Sequence, residues 1–364
     1  MSRHHYGARL HDFVSNGYRT LALENEVIRV EVLVDKGTDI VSFLDKRTDT
    51  DFLWRSALGL RSATAVTRTA TTDVTNLCDT YEGGWQECLP NGGPGVTYKG
   101  APIPFHGEVM NLPWEVTVVE DTPEAVIVRL SVSTVRTPFR LEKTLTLRRG
   151  QQVLEIDEAL TNEAPEEMDL MWGHHPAFGA PFLDASCRID LPPCRATTRR
   201  AGAMPTSELE FAADFDWPNA PLAAGGFRDL RVVPPPTSRT AEWVCLSGFD
   251  EGWYGITNTI RGVGFGMRWD ASLFPYLWFW QVWGGMPGYP WYGRHYNCAL
   301  EPWTSWPDNG LSDAIANGTA LRIGAGETMR TRLLAVAYIG SDVVERISED
   351  GEVVLMAPGH APTD

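Results

Sequence analysis

Three short stretches of the sequence carry side chains that could move protons. Residues 171–182 read M-W-G-H-H-P-A-F-G-A-P-F, so His174 and His175 stand side by side. His106 precedes a glycine in a stretch rich in Gly and Pro, and Glu301 lies between apolar and aromatic residues in C-A-L-E-P-W. Imidazoles and desolvated carboxylates are the usual general acids and bases of enzymes near neutral pH. Together these residues could take a proton from one substrate atom and give one to another.

The residues around each candidate indicate how its side chain is presented. Pro176 favours an extended backbone at His175, so the rings of His174 and His175 should point to opposite sides of a strand. Only one of the two would then face a given pocket. Burial beside aromatic rings should raise the pKa of Glu301 and make it a usable base. Each residue also has a structural interpretation: a turn at His106, or a hydrogen-bonded carboxylate at Glu301.

A metal site is the enzymatic alternative for the same residues. His106, His175 and Glu301 are the kinds of ligand that zinc or iron binds. The sequence has no closely spaced pair such as H-x-H or H-E-x-x-H. We therefore expect chemistry without a metal and without a cofactor.

The composition narrows the class of protein. In 364 residues there are 14 Trp, 34 Gly and 25 Pro, a mixture that favours many short strands joined by turns. A formal net charge of −16 argues against nucleic acid and anionic membranes as partners. The six cysteines form no C-x-x-C pair, and the first residues show no apolar signal segment. We expect a cytoplasmic protein with reduced thiols.

Alternation of apolar and polar residues predicts an all-β fold. Residues 21–34 alternate and reach a turn at 35–37 before a second strand, as in an antiparallel hairpin. The same pattern recurs at 114–119, 125–132, 139–147, 153–160 and 329–338. Residues 312–317 could form one helical turn, and residues 195–240 look irregular. We predict a large antiparallel β-sandwich that forms one domain over residues 1–364, with its core at 20–340.

The order of the short motifs resembles that of a known family. The motifs are His106-Gly107, then His175-Pro176-Ala177-Phe178, then Leu300-Glu301-Pro302 with Pro307-Asp308 downstream. A G-G-W-Q-E-C-L-P segment precedes the first of them. This arrangement resembles the aldose 1-epimerase (galactose mutarotase-like) family, of which the chain would be a divergent member.

The resemblance implies a super-sandwich that binds a small-molecule sugar on a concave face. It implies that Glu301 acts as general base and His175 as general acid, on opposite sides of the sugar. His106 would hold the ring or share the acid role, and His174 would be structural. Further candidate substrate contacts are Trp85, Asp250, Gln281, Arg294 and Trp303.

Departures from the family pattern bear on the substrate. The glucose-6-phosphate epimerase branch resembles His-Gly-Phe-Ala-Arg, whereas this chain has Glu108 and Val109 after His106-Gly107. The missing arginine argues against a phosphosugar. The segment at 284–296, G-G-M-P-G-Y-P-W-Y-G-R-H-Y, could form an aromatic wall of the pocket.

Two other functions remain open at this level. One is a non-catalytic carbohydrate-binding or regulatory module. The other is a different proton transfer on a sugar, by an epimerase or a lyase that uses the same pair. The sequence allows a homodimer without requiring one.

Overall fold

Short antiparallel strands make up most of the structure, a computed structural model that describes residues 4–62, 77–200, 202 and 204–356. The first strands in chain order are β1 (Arg9–Ser15), β2 (Tyr18–Glu24), β3 (Ile28–Leu33), β4 (Asp39–Asp45), β5 (Thr50–Asp51), β6 (Trp85–Cys88), β7 (Val96–Tyr98), β8 (Ala101–Ile103), β9 (Glu115–Asp121), β10 (Ala125–Ser133), β11 (Phe139–Arg148), β12 (Val153–Asn162), β13 (Met168–Leu170) and β14 (Gly173–Gly179). The others are β15 (Cys187–Asp190), β16 (Arg195–Thr198), β17 (Asp214–Asp216), β18 (Asn219–Pro221), β19 (Phe227–Asp229), β20 (Thr240–Ser247), β21 (Gly252–Asn258), β22 (Val263–Trp269), β23 (Tyr276–Trp283), β24 (Tyr296–Trp303), β25 (Leu321–Ile323), β26 (Thr328–Ile339), β27 (Val344–Ile347) and β28 (Val353–Leu355). The α-helix α1 spans Leu311–Asn317, and two 3₁₀ turns span Val109–Asn111 and Pro236–Ser238.

Within the described residues, most strands belong to two large antiparallel sheets. A sheet of twelve strands has the order β1-β2-β3-β4-β6-β14-β24-β23-β20-β16-β17, with β5 paired to β4. A sheet of eight strands has the order β15-β21-β22-β26-β12-β11-β10-β9. Smaller ribbons pair β7 with β8, β13 with β25, β18 with β19 and β27 with β28. The predicted all-β antiparallel sandwich is confirmed.

Aromatic rings from both sheets meet in the core between them. Phe265 on β22 is fully buried, and its ring centroid lies 5.3 Å from Phe43 on β4 and 5.0 Å from Phe178 on β14. Phe52, next to β5, packs at 5.6 Å from the same ring. Burial of large apolar side chains is the main source of folding free energy, so this cluster holds the two sheets face to face.

The first predicted strand is divided in two by a turn. Asn25 follows β2 directly, and its side-chain oxygen accepts hydrogen bonds from the backbone N–H groups of Val27 and Ile28, both at 2.8 Å. Its amide donates to the carbonyls of Arg148 and Gln151, both at 2.7 Å. Asparagine competes with the strand ladder by bonding the backbone locally. The prediction of one strand over 21–34 was wrong for this reason.

The region at 195–240 also differs from its irregular appearance in the sequence. It contains β16 to β19, and β16 pairs with β20 at one side of the twelve-stranded sheet. These strands are only three or four residues long, which is too short for an alternation pattern to stand out.

Among the described residues, no helix has the length and apolarity needed to cross a membrane.

Truncating the central aromatic ring of the core should destabilise the protein strongly. We expect Phe265→Ala to lower the free energy of unfolding by about 3–5 kcal/mol, because it leaves a cavity between the sheets. Ile260→Ala is the control, since Ile260 is 85% exposed and should change stability by less than about 0.5 kcal/mol. Chemical denaturation measures both, and equal effects would mean that this cluster does not join the sheets.

Candidate active site

Strand pairing brings the predicted acid and base to one face of the larger sheet. His175 on β14 is opposite Gln86 on β6, and Glu301 on β24 is opposite Trp278 on β23. Directly paired residues of antiparallel strands point to the same side, and all four line one cavity of about 280 Å³. The cavity lies on the face turned away from the eight-stranded sheet.

The cavity is lined mainly by aromatic and apolar side chains. These are Leu77, Cys78, Tyr81, Cys88, Pro94, Phe105, Met110, Met204, Trp243, Trp278, Trp280, Met286, Pro290 and Trp291. The other lining residues are Gln86, Gly93, His106, His175, Arg199, Glu301 and Asp308. Apolar walls with a few convergent polar groups are typical of small-molecule sites.

Four buried side chains in contact form a chain that contains the candidate acid–base pair. His175 Nε2 lies 3.3 Å from Glu301 Oε1. On the far side of the imidazole, Tyr81 Oη lies 3.3 Å from Nδ1. On the far side of the carboxyl group, the Trp303 Nε1–H donates to Glu301 Oε2 at 2.9 Å. The chain therefore runs from Tyr81 through His175 and Glu301 to Trp303.

Burial favours the uncharged forms of both members of the pair. Loss of solvation raises the pKa of Glu301 well above its usual value, and the negative charge of Asp308 raises it further. The same loss of solvation lowers the pKa of His175 to about 4. At neutral pH the imidazole is thus neutral, and the carboxyl of Glu301 holds a proton more strongly than a carboxyl in water. An indole N–H can only donate, so Oε2 accepts from Trp303, which leaves Oε1, towards His175, as the site for a carboxyl proton.

His106 is held in a fixed orientation at the edge of this pair. Its φ of 58° is in the left-handed region, and its backbone N–H donates to the Gly93 carbonyl at 3.0 Å. The Gly93 N–H in turn donates to Nδ1 of His106 at 3.1 Å. Since Nδ1 accepts, the neutral ring carries its proton on Nε2. Burial and the neighbouring His175 lower the pKa of His106 well below its usual value, so the ring is a neutral donor.

The residue after His106, Gly107, must be a glycine because its backbone lies against the Leu89 carbonyl group, which directly follows β6. Its φ is 84°, and a Cβ at this position would lie 2.2 Å from the Leu89 carbonyl oxygen. Only glycine accepts both conditions. The turn that the sequence indicated at His106 is therefore part of the site.

His174 points to the opposite side, into a polar network between the sheets. Its Nε2 lies 3.1 Å from Glu158 Oε2 on β12, and the Trp85 Nε1–H donates to its Nδ1 at 3.3 Å. Glu87 beside it contacts the Lys143 ammonium at 2.6 Å. Glu87, Glu158 and His174 could by geometry offer ligands to a metal, but Lys143 already supplies a cation there. The network is structural, as the alternation of the two histidines implied.

The structure places several predicted substrate contacts away from the cavity lining. Trp85 points into the core beside His174. Gln281 pairs with Cys298, on the opposite face of β23 from Trp278, and its oxygen accepts from the Trp283 indole at 3.1 Å. Because side chains alternate along a strand, Gln281 cannot face the cavity while Trp278 does.

Of the other predicted contacts, Trp303 lies beside the candidate acid–base pair, whereas Arg294 and Asp250 lie outside the cavity lining. Trp303 is fully buried behind Glu301, stacked on Trp278 with ring centroids 4.1 Å apart. Arg294 is exposed. Asp250 borders a separate open depression together with Arg268. Trp303 thus contacts the candidate base, whereas Arg294 and Asp250 do not contribute to the cavity.

The structure adds residues that the sequence did not single out. Tyr81 stands two residues before Gly83-Gly84 and contacts His175 directly. Asp308 Oδ2 accepts from Arg199 Nε at 2.9 Å, while its Oδ1 is buried without a partner among the described residues. Alternation in Y-L-W-F-W-Q-V-W could have indicated the face of Trp278, but nothing in the sequence links Arg199 to Asp308.

The segment at 284–296 forms one wall of the cavity. Met286, Pro290 and Trp291 are among the lining residues. The Trp291 ring lies 6.0 Å from Trp280 and 6.2 Å from Tyr81. The segment connects β23 to β24, so it closes the cavity beside the strands that carry the acid–base pair.

Comparison with known proteins agrees with this architecture. The family model described as a domain of unknown function, DUF4432, matches residues 15–336. A search of curated proteins found no significant match. A candidate aldose 1-epimerase from Klebsiella pneumoniae has a similar fold, with a TM-score of 0.69 and 14% identity over 92% of this chain and 88% of its own.

Two further solved structures share the fold at similarly low sequence identity. A galactose mutarotase-like protein from Clostridium acetobutylicum has a TM-score of 0.61 and 13% identity, covering 92% of this chain and 99% of its own. A galactose mutarotase related enzyme from Lactobacillus acidophilus has a TM-score of 0.56 and 17% identity, covering 90% and 100%. The chain belongs to the DUF4432 family of unknown function and has a galactose mutarotase-like fold.

Proposed function

We propose that the protein is an aldose 1-epimerase, which interconverts the α and β anomers of an unphosphorylated aldose. The observation that carries the proposal is the buried contact of Glu301 with His175, at 3.3 Å, beside an aromatic cavity. The pair combines a carboxyl group with an imidazole, and each of these groups can give or take a proton. Ring opening of a sugar needs a group that gives a proton and a group that takes one.

The side-by-side arrangement suits the two oxygens of the anomeric carbon. The anomeric hydroxyl and the ring oxygen are both bonded to C1, so one edge of the sugar presents both to the pair. The resemblance implied groups on opposite sides of the sugar, whereas Glu301 and His175 lie on adjacent strands. We infer that both act from the same edge.

The pair supplies the two proton transfers that ring opening needs. Together Glu301 and His175 take a proton from the anomeric hydroxyl and deliver one towards the ring oxygen. The C1–O5 bond breaks, the C1 aldehyde rotates, and closure uses the same groups in reverse. His106 Nε2–H donates to a sugar oxygen.

The cavity favours an uncharged sugar of monosaccharide size. Its volume of about 280 Å³ is near the lower limit for small-molecule sites, about 300 Å³. Trp278 and Trp280 offer flat faces for the C–H side of a sugar ring. Among the described lining residues Arg199 is the one guanidinium, and it is paired with Asp308. A phosphate would need a cation that is free to bind it.

Anomer interconversion tests the proposal directly. We expect the wild type to accelerate mutarotation of fresh α-glucose or α-galactose, followed by polarimetry or one-dimensional NMR. Glu301→Gln and His175→Asn should each lower kcat/KM by about 100-fold or more, because each removes one proton-transfer group. Glu345→Gln, on the exposed part of β27, is the matched control and should retain the wild-type rate.

The possible failures have different meanings. Wild type that binds aldoses without accelerating mutarotation would support a non-catalytic carbohydrate-binding module. Acceleration that survives in both variants would exclude this pair as the catalytic site.

The low pKa of His175 has a consequence for stability. Below pH 6.5 the unfolded chain protonates this imidazole, whereas the folded protein does not until about pH 4. Its contribution to stability is therefore complete above pH 6.5 and is lost as the pH falls towards 4. We compare the unfolding free energies of wild type and His175→Asn at pH 7 and at pH 4.5. Relative to the variant, the wild type should lose about 2 kcal/mol of stability between pH 7 and pH 4.5. A difference independent of pH would contradict the assigned protonation.

Asp308 should contribute to binding more than to turnover. Arg199 holds its Oδ2, and the unpartnered Oδ1 can accept a sugar hydroxyl. We expect Asp308→Asn to raise KM about tenfold, the loss of one hydrogen bond to a charged acceptor, with little change in kcat. A fall in kcat at constant KM would place Asp308 in the chemistry instead.

A further inference from the structure

A proton exchange confined to Glu301 and His175 would create charges in a buried place. When the carboxyl gives its proton to the sugar and the imidazole takes another, a carboxylate and an imidazolium remain. Their side chains are 2% and 10% exposed. Burying charges is costly even when they are paired, so a third group that prevents their formation would lower the barrier.

Tyr81 is in position to be that group. Its hydroxyl is 3.3 Å from Nδ1 of His175, its residue is 6% exposed, and it lines the cavity. Among the described residues, His175 is the one hydrogen-bond partner of this hydroxyl. A phenol both donates and accepts, so it can bond His175 and a ligand at the same time.

The Tyr81 ring is fixed by its neighbours. It packs against Trp54 at 5.6 Å and meets the His175 ring edge-on at 5.9 Å. The Ser56 hydroxyl donates to the Tyr81 carbonyl at 2.6 Å. The hydroxyl is therefore held at the end of the chain that reaches the cavity.

The Trp303 indole, which can only donate, gives the chain a direction. With Oε2 accepting from Trp303, a proton on Glu301 Oε1 faces His175 Nε2 at 3.3 Å. His175 then carries its own proton on Nδ1 and donates it to Tyr81 Oη. The Tyr81 hydroxyl hydrogen is left for the cavity. Hydrogen bonds that all point one way reinforce one another.

We propose that Tyr81 is a third catalytic residue, which relays a proton between the sugar and Glu301 through His175. This inference rests on the proposed mutarotase function. As the ring opens, Tyr81 gives its proton to the ring oxygen and takes the Nδ1 proton of His175. His175 Nε2 takes the proton of Glu301, and Glu301 takes the proton of the anomeric hydroxyl.

The relay is balanced at every atom. Four protons each move between neighbouring groups, the C1–O5 bond breaks, and the C1–O1 bond becomes the carbonyl. Glu301, His175 and Tyr81 are all neutral before and after, with the His175 proton now on Nε2. Ring closure on either face of the aldehyde reverses the four transfers and restores the starting state.

The experiment compares wild type with Tyr81→Phe and with Tyr254→Phe as the matched control. Tyr254 is fully buried, lies outside the cavity lining, and its hydroxyl has no hydrogen-bond partner among the described residues. Two-bond ¹H–¹⁵N spectra of ¹⁵N-histidine protein report which nitrogen of His175 carries the proton, with His175→Asn used for assignment. Polarimetry on α-glucose and α-galactose gives kcat and KM.

We expect His175 to carry its proton on Nδ1 in wild type and Tyr254→Phe. In Tyr81→Phe the Nδ1–H loses its acceptor, so the proton should move to Nε2. The kcat of Tyr81→Phe should fall about 100-fold, the lower range for a proton-transfer group, with KM nearly unchanged. Wild-type turnover in Tyr81→Phe, or a proton on Nε2 in the wild type and in Tyr81→Phe alike, would overturn the relay.

The spectra separate this inference from the proposed function. If the wild type accelerates no aldose, the mutarotase proposal fails. The position of the His175 proton then still tests the proposed order of protons along Tyr81, His175 and Glu301. A proton on Nδ1 that moves in Tyr81→Phe supports this order, and a proton on Nε2 in both proteins rejects it.

Discussion

The register of β14 between its neighbours is the constraint on which the rest of the site depends. A slip of one residue would exchange the faces of His174 and His175. His174 is bonded to Glu158 of the opposite sheet, and Glu87 on the adjacent strand is bonded to Lys143 there. Removing one partner of such a buried network leaves an uncompensated polar group, at a cost of several kcal/mol. The network therefore fixes which histidine faces the cavity.

Much of this arrangement could be predicted from local sequence. Pro176 after His175 indicates an extended backbone, and alternation then separates the two rings. The aromatic surroundings of Glu301 indicate burial, and burial sets the direction of its pKa shift. These inferences succeed because they depend on residues within a few positions along the chain. For the same reason, the alternating runs indicated the all-β fold although the turn at Asn25 was missed.

Contacts between distant segments could not be predicted in the same way. Tyr81 meets His175 across 94 positions of sequence, and Arg199 meets Asp308 across 109. The face of Gln281 depends on which side of β23 is turned to the core, and the pattern Y-L-W-F-W-Q-V-W is apolar on both sides. Composition therefore cannot orient the strand. Asp250 and Arg294 were placed by residue type alone, and the fold carries them elsewhere.

The cavity wall formed by residues 284–296 differs in structure from the strands that carry the candidate acid–base pair. It is a connection between β23 and β24, whereas Glu301, His175 and their hydrogen-bond partner Trp303 sit on strands whose pairing fixes their positions. Surface connections tolerate insertion and replacement far better than paired strands do. This segment can thus be exchanged as a unit by protein engineering. Such an exchange would reshape the cavity and leave Glu301, His175 and Trp303 in place.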